Sequence, residues 1–112
     1  MGGMGAGYFA ENYNNTSNLK HKLSKVAILS GFNSNFNLNN IKSNGMEIRA
    51  YVGSSDSSSS ISFTKKSFAS VFGNENTFVV NSGHGSVPEY SYILDEDGDG
   101  KSDLIQWLLS DE

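Results

Sequence analysis

The chain contains no cysteine, which removes disulfides, thiolate metal ligands and cysteine nucleophiles together. It has no apolar run approaching the length of a membrane span, and no basic region followed by an apolar stretch at its N-terminus, so neither a membrane span nor a signal peptide is expected. Apolar residues are scarce: 37% of the 112 positions are hydrophobic, while serine (19) and asparagine (13) together fill more than a quarter. That length fits one domain, with a core drawn from a few short apolar runs joined by long polar connections. None of these features fixes a compartment.

Charge is sparse and unevenly placed. The net charge is −4, and Asp95, Glu96, Asp97, Asp99, Asp103, Asp111 and Glu112 all fall after residue 94, against Lys101 alone. The rest of the chain is slightly basic. Its one basic cluster, Lys20, Lys22 and Lys25, reads as a solvated loop leading into a strand, and no nucleic-acid partner is expected.

Three short apolar runs bounded by turn formers suit buried strands: Lys25 to Leu29, Met46 to Val52, and Thr77 to Val80. Met4, Ala6, Tyr8, Phe9, Ala10 and Tyr13 predict a helix over about residues 2–13. In Ile61 to Phe72, the residues Ile61, Phe68, Val71 and Phe72 share one helical face, with Phe63 off it. Ser102 to Ser110 is a closing amphipathic helix, with Ser102 or Asp103 as its cap. The serine-rich stretch from Ser54 to Ser62 reads as a flexible loop. Strands alternating with helical crossovers predict an α/β fold, a parallel sheet of about three strands with flanking helices. In such sheets the working residues gather at the carboxyl ends of the strands.

Two side chains capable of acid–base work stand there. Asp56 follows the second strand in Gly53-Ser54-Ser55-Asp56, and His84 follows the third in Ser82-Gly83-His84-Gly85. A histidine that takes a proton from a hydroxyl needs a carboxylate to fix its tautomer and stabilise its charged form, and one crossover between the two puts them on neighbouring strand ends. Asp56 also fits a plain turn-forming aspartate.

The order of these pieces resembles the α/β-hydrolase superfamily, and within it serine esterases, whose triad runs Ser, Asp or Glu, then His along the last strands. Gly53-Ser54-Ser55-Asp56 is similar to the acid turn and Gly83-His84-Gly85 to the histidine loop. Met1-Gly2-Gly3-Met4-Gly5-Ala6-Gly7 resembles the segment after the nucleophile in Gly-x-Ser-Met-Gly-Gly, and Val26-Ala27-Ile28-Leu29-Ser30-Gly31 the strand after the elbow helix. A phosphate cradle at Gly2 to Gly7 is disfavoured, because no strand precedes it and no Gly-Lys-Ser/Thr follows. The resemblance implies that His84 acts as general base, that Asp56 orients it, and that Met1 supplies one oxyanion donor. It further implies a small-molecule carboxylic ester as substrate and no cofactor for catalysis.

The chain departs from that pattern in one respect: no Gly-x-Ser-x-Gly occurs in residues 1–112. The nucleophile is expected immediately before Met1. Residues 1–112 would then form the C-terminal part of a hydrolase domain: elbow helix, last three strands and final helix. Such a fragment is expected to be inactive alone and to self-associate through an exposed sheet edge.

A separate signal lies at residues 95–106. Asp95, Asp97, Asp99 and Asp103 occupy positions 1, 3, 5 and 9 of a loop with Gly100 at position 6, and Lys101 stands at position 7, where such loops offer a backbone carbonyl. This spacing resembles calcium loops of the EF-hand and dockerin type, with Gln106 where a bidentate acid is usual. A structural calcium ion of low affinity is the expectation. It also supports a rival reading, a small calcium-stabilised binding or interaction module without catalysis.

Overall fold

The computed structural model describes residues 25–29, 37–43 and 45–110. The predicted helix at 2–13, Lys20, Lys22 and Met1 lie outside them. The fold is α/β: three parallel strands, β1 (Lys25–Leu29), β2 (Glu47–Gly53) and β3 (Thr77–Val80), stand side by side in chain order. Lys25 pairs with Glu47 and Leu29 with Tyr51 across β1 and β2, while Ala50 pairs with Thr77 and Gly53 with Val80 across β2 and β3.

Chain order and right-handed crossovers put both connecting helical segments on the same face of the sheet. The first is α1 (Leu38–Ser43). The second runs without a break through α2 (Ser58–Ser62), a π-helical stretch (Phe63–Phe68) and α3 (Ala69–Phe72). Against them the strands turn Val26, Ile28, Ile48 and Ala50, and this layer closes around Leu38, Ile41, Met46 and Phe68. The Phe68 ring is fully buried and stacks on Phe72 with centroids 4.8 Å apart; cutting a ring so placed back to alanine costs on the order of 3–5 kcal/mol. The opposite face carries Ala27, Leu29, Tyr51, Phe78 and Val80. These pack under Val87, Leu94, Leu104 and Trp107, from α4 (Val87–Ile93), α5 (Asp103–Leu109) and the residue after α4. The period-two alternation of each strand therefore feeds two thin cores, which is how so polar a chain closes a sheet on both sides.

Two charges are built into the second layer. The Arg49 guanidinium lies 4.7 Å from the Trp107 ring centre and 5.1 Å from that of Phe78, a geometry in which the ring quadrupole attracts a cation. Lys25, almost fully buried, turns its Nζ onto the carboxyl end of α5. There it donates to the carbonyls of Trp107 (2.9 Å) and Ser110 (2.7 Å) and to Ser110 Oγ. A cation at that helix end is favourable for both the dipole and the orphan carbonyls. Lys25 thus serves the core and not a solvated loop face.

The strands fall within one residue of their expected positions, and α5 lies within Ser102–Ser110 with Ser102 as its cap, its Oγ accepting from Ile105 N. The serine-rich stretch differs from expectation. Ser57 Oγ accepts from Ser60 N at 3.2 Å and starts a helix that takes in Ser58 to Ser62, so only Ser54 to Ser57 remain as a turn. Phe63, off the face on a 3.6-residue repeat, packs on the first core, because the π-helical stretch adds a residue to the turn and brings positions five apart onto one side. The helices α1 and α4 were not expected. They are short, and with only Leu38 and Ile41 buried in α1 and Val87 and Ser91 in α4 they carry little apolar periodicity, but their caps were readable. Asn37 Oδ1 accepts from Asn40 N at 3.0 Å, and Pro88 stands in the first turn of α4, the position proline favours. Among the described residues, no helix is long and apolar enough to cross a membrane.

Candidate acid–base site

Beyond the last paired residues of β2 and β3 the two backbones stay together. Ser54 N donates to Val80 O at 2.8 Å and Ser55 N to Ser82 O at 3.0 Å, while Asp56 N closes a turn onto Gly53 O at 3.0 Å. Above them, Ser54 Oγ reaches Asn81 Oδ1 at 3.3 Å. On the histidine side, Gly83 leads into a single 3₁₀ turn, His84–Ser86, which ends on the fully buried Val87. The backbone at position 84 is therefore held from both directions, by Ser82 behind and Val87 ahead.

This frame brings Asp56 and His84 together. His84 Nδ1 lies 3.0 Å from Asp56 Oδ2. The aspartate side chain is 6% exposed and the histidine side chain 53%, so the carboxylate is sheltered while the imidazole reaches solvent. The other carboxylate oxygen, Oδ1, accepts from Ser57 N at 2.8 Å, and the group sits at the amino end of the 58–72 helical segment, where negative charge is favoured. An ionised carboxylate can only accept, so neutral His84 carries its proton on Nδ1. Its Nε2, on the far side of the ring, then has the lone pair with which an imidazole takes a proton from a hydroxyl. The Ser57 amide was not foreseen as part of this arrangement. Its signal was an aspartate directly before a serine cap.

The acidic loop forms a second cluster at the other end of the sheet. One carboxylate oxygen each from Asp95, Asp97, Asp99 and Asp103 lie within 4.8 Å of one another, a group that could hold a metal ion. The loop is wound by Gly98 and Gly100, at φ +71° and +80°, the left-handed region in which glycine carries no Cβ penalty. Asp95 accepts from Asp99 N and Gly100 N, Asp99 from Lys101 N, and Asp103 Oδ2 from Glu96 N at 2.7 Å. Lys101 adds no carboxylate and lies outside the group of four. Gln106, at position 12, donates from Nε2 to Asp99 Oδ2 at 3.0 Å. The loop shares a cavity of about 750 Å³ with Asn74, Glu75 and Thr77, at the amino end of β3, whereas His84 stands past its carboxyl end.

The Asp99 N–H bond pulls the Asp97 carboxyl down, but a shared hydrogen bond with Asp95, partial desolvation and the charges of Asp99 and Asp103 outweigh it, and the pKa is raised. The pKa of Asp99 is lowered, chiefly by the Lys101 N–H, with desolvation opposing and Gln106 assisting. No family model, curated protein or solved structure matches the chain, so the site is read from its own geometry.

The hydrogen bond sets the histidine tautomer, and that is measurable. Imidazole ¹⁵N shifts of the neutral chain should show His84 mainly in the Nδ1–H form, and Asp56→Ala should return it to mainly Nε2–H. Unchanged shifts in that variant would mean that the carboxylate does not hold the ring.

Proposed function

We propose that Asp56 and His84 are the acid and base of a serine-hydrolase triad acting on carboxylic esters, with a serine hydroxyl supplied by chain preceding Met1. The 3.0 Å contact between two side chains that leave adjacent parallel strands is the observation that carries this reading. The ordered resemblance of the flanking motifs gives it a reaction class. In such a site the serine O–H passes its proton to His84 Nε2 as the oxygen attacks the ester carbonyl, and the imidazolium then protonates the leaving alcohol. Asp56 stabilises the charged ring throughout without taking the proton. The backbone N–H of Met1 serves as one oxyanion donor. Among the described residues, β1 pairs on one side only. The reading assigns its other edge to further strands of a parent sheet, and self-association of the chain through that edge follows.

The codons upstream of Met1 test the assignment: an in-frame apolar strand ending in Gly-x-Ser is expected. Protein extended by that segment should hydrolyse a p-nitrophenyl ester. Asp56→Asn should lower kcat by roughly 10⁴-fold and His84→Ala by roughly 10⁶-fold, and full activity in either variant would contradict the triad.

A second reading, supported by the four converging carboxylates, is a non-catalytic module stabilised by calcium. The hard oxygen donors and the glycine at the sixth position suit that ion, while Gln106 in place of a bidentate acid makes for weak binding. Because Asp97 titrates above an ordinary aspartate, its charged form opposes folding at neutral pH, and that penalty is relieved as pH falls through its folded value. Asp99 has the opposite sign: its contribution is present above the unfolded value and is lost as pH falls through the folded one. Calcium in the millimolar range should therefore raise Tm by more than about 5 °C, and a chelator should reverse the rise. Asp97→Asn should raise the chelated Tm and shrink the response to calcium. A Tm indifferent to calcium and chelator would remove the ion from the account.

A further inference from the structure

Three glycines flank the Asp56–His84 pair, and the Gly-His-Gly motif draws the eye to Gly83 and Gly85. The structure points elsewhere. A Cβ built on Gly83 or Gly85 meets nothing within 4 Å, whereas one on Gly53 would stand 2.4 Å from Ser82 O and 3.1 Å from Gly83 O. Both obstacles are backbone and cannot rotate aside. Gly53 is not among the described glycines with positive φ, so its conformation does not demand glycine; the contact does.

We infer that Gly53 is a positioning residue of the Asp56–His84 site, the point at which the acid turn and the histidine loop touch backbone to backbone. The inference rests on the acid–base reading above. The Ser82 carbonyl that fills the space over Gly53 also accepts from Ser55 N at 3.0 Å, so it is locked between the two residues that bracket the turn toward Asp56. A methyl group at position 53 reaches ordinary contact, 3.4 Å, only if that carbonyl retreats by about 1 Å. His84 follows two residues later on a chain anchored at Val87. A retreat passed along that segment stretches the 3.0 Å contact beyond hydrogen-bond range. A misplacement of that size is enough to cost on the order of 10²-fold in a reaction that depends on geometry.

The test uses the 112-residue chain and needs no turnover. Gly53→Ala should keep a dispersed, folded amide spectrum yet lose the Nδ1–H bias of His84 in its ¹⁵N shifts, as Asp56→Ala does. Gly83→Ala and Gly85→Ala should retain that bias. A folded Gly53→Ala chain with wild-type imidazole shifts overturns the inference. If Gly53→Ala does not fold, the wild-type chain decides: a scalar coupling across the hydrogen bond from Ser55 N to the Ser82 carbonyl carbon upholds the close approach, and its absence overturns it. The catalytic reading is judged separately, by turnover of the extended protein. Were that protein inactive while Gly53→Ala displaced His84, the reading would fail and Gly53 would still be the residue that sets the pair.

Discussion

Everything at the candidate site follows from the pairing of β2 with β3 being carried past the ends of both strands. Parallel strands in register deliver their following residues to the same edge of the sheet, but delivery alone leaves two loops free to diverge. Here the amides of Ser54 and Ser55 donate across to the backbone after β3, and this continuation converts neighbouring loops into one frame. Asp56 and His84, 28 positions apart in the chain, are then separated by a single hydrogen bond. The carboxylate is doubly held, by the Ser57 amide on one oxygen and by the imidazole on the other. The imidazole it fixes is about half exposed. A sheltered anion behind an accessible imidazole is the polarity that proton transfer from a hydroxyl requires.

The two ends of the sheet carry different chemistry. The strand carboxyl ends hold an imidazole paired with a carboxylate, whereas four converging aspartates sit beside the amino end of β3. In the chain, α4 separates the His84 turn from the acidic loop. A cation among the aspartates would act first on α5, because Asp103 belongs to that helix and binds the Glu96 amide that closes the loop. The acidic loop is therefore better understood as a fastening for the last helix than as part of the acid–base site.

Much of this was legible in the residues. Lys-Val-Ala-Ile-Leu and Thr-Phe-Val-Val are apolar, short and bounded by turn formers, and both are strands with the expected limits. Asp56 and His84 could be singled out because residues just past strand ends in a parallel sheet converge, and their contact was implied by one crossover between them. What the residues hid depended on local hydrogen bonds or on shape. Ser54 to Ser62 looked structureless because serine has no apolar periodicity, yet one cap at Ser57 turns most of it into helix. Phe63 fell off the expected face because a 3.6-residue repeat does not allow for a π-helical turn. The weight borne by Gly53 could not be read at all, since a glycine needed for contact and one needed for flexibility look alike until the opposing carbonyl is seen.

The central claim is that Asp56 and His84 form one hydrogen-bonded unit built by the sheet. An atomic-resolution crystal structure of the chain tests it most directly. The account requires His84 Nδ1 and Asp56 Oδ2 within hydrogen-bond distance, about 2.7–3.2 Å, with the Ser55 amide on the Ser82 carbonyl. Two side chains pointing apart from separated loops would contradict it.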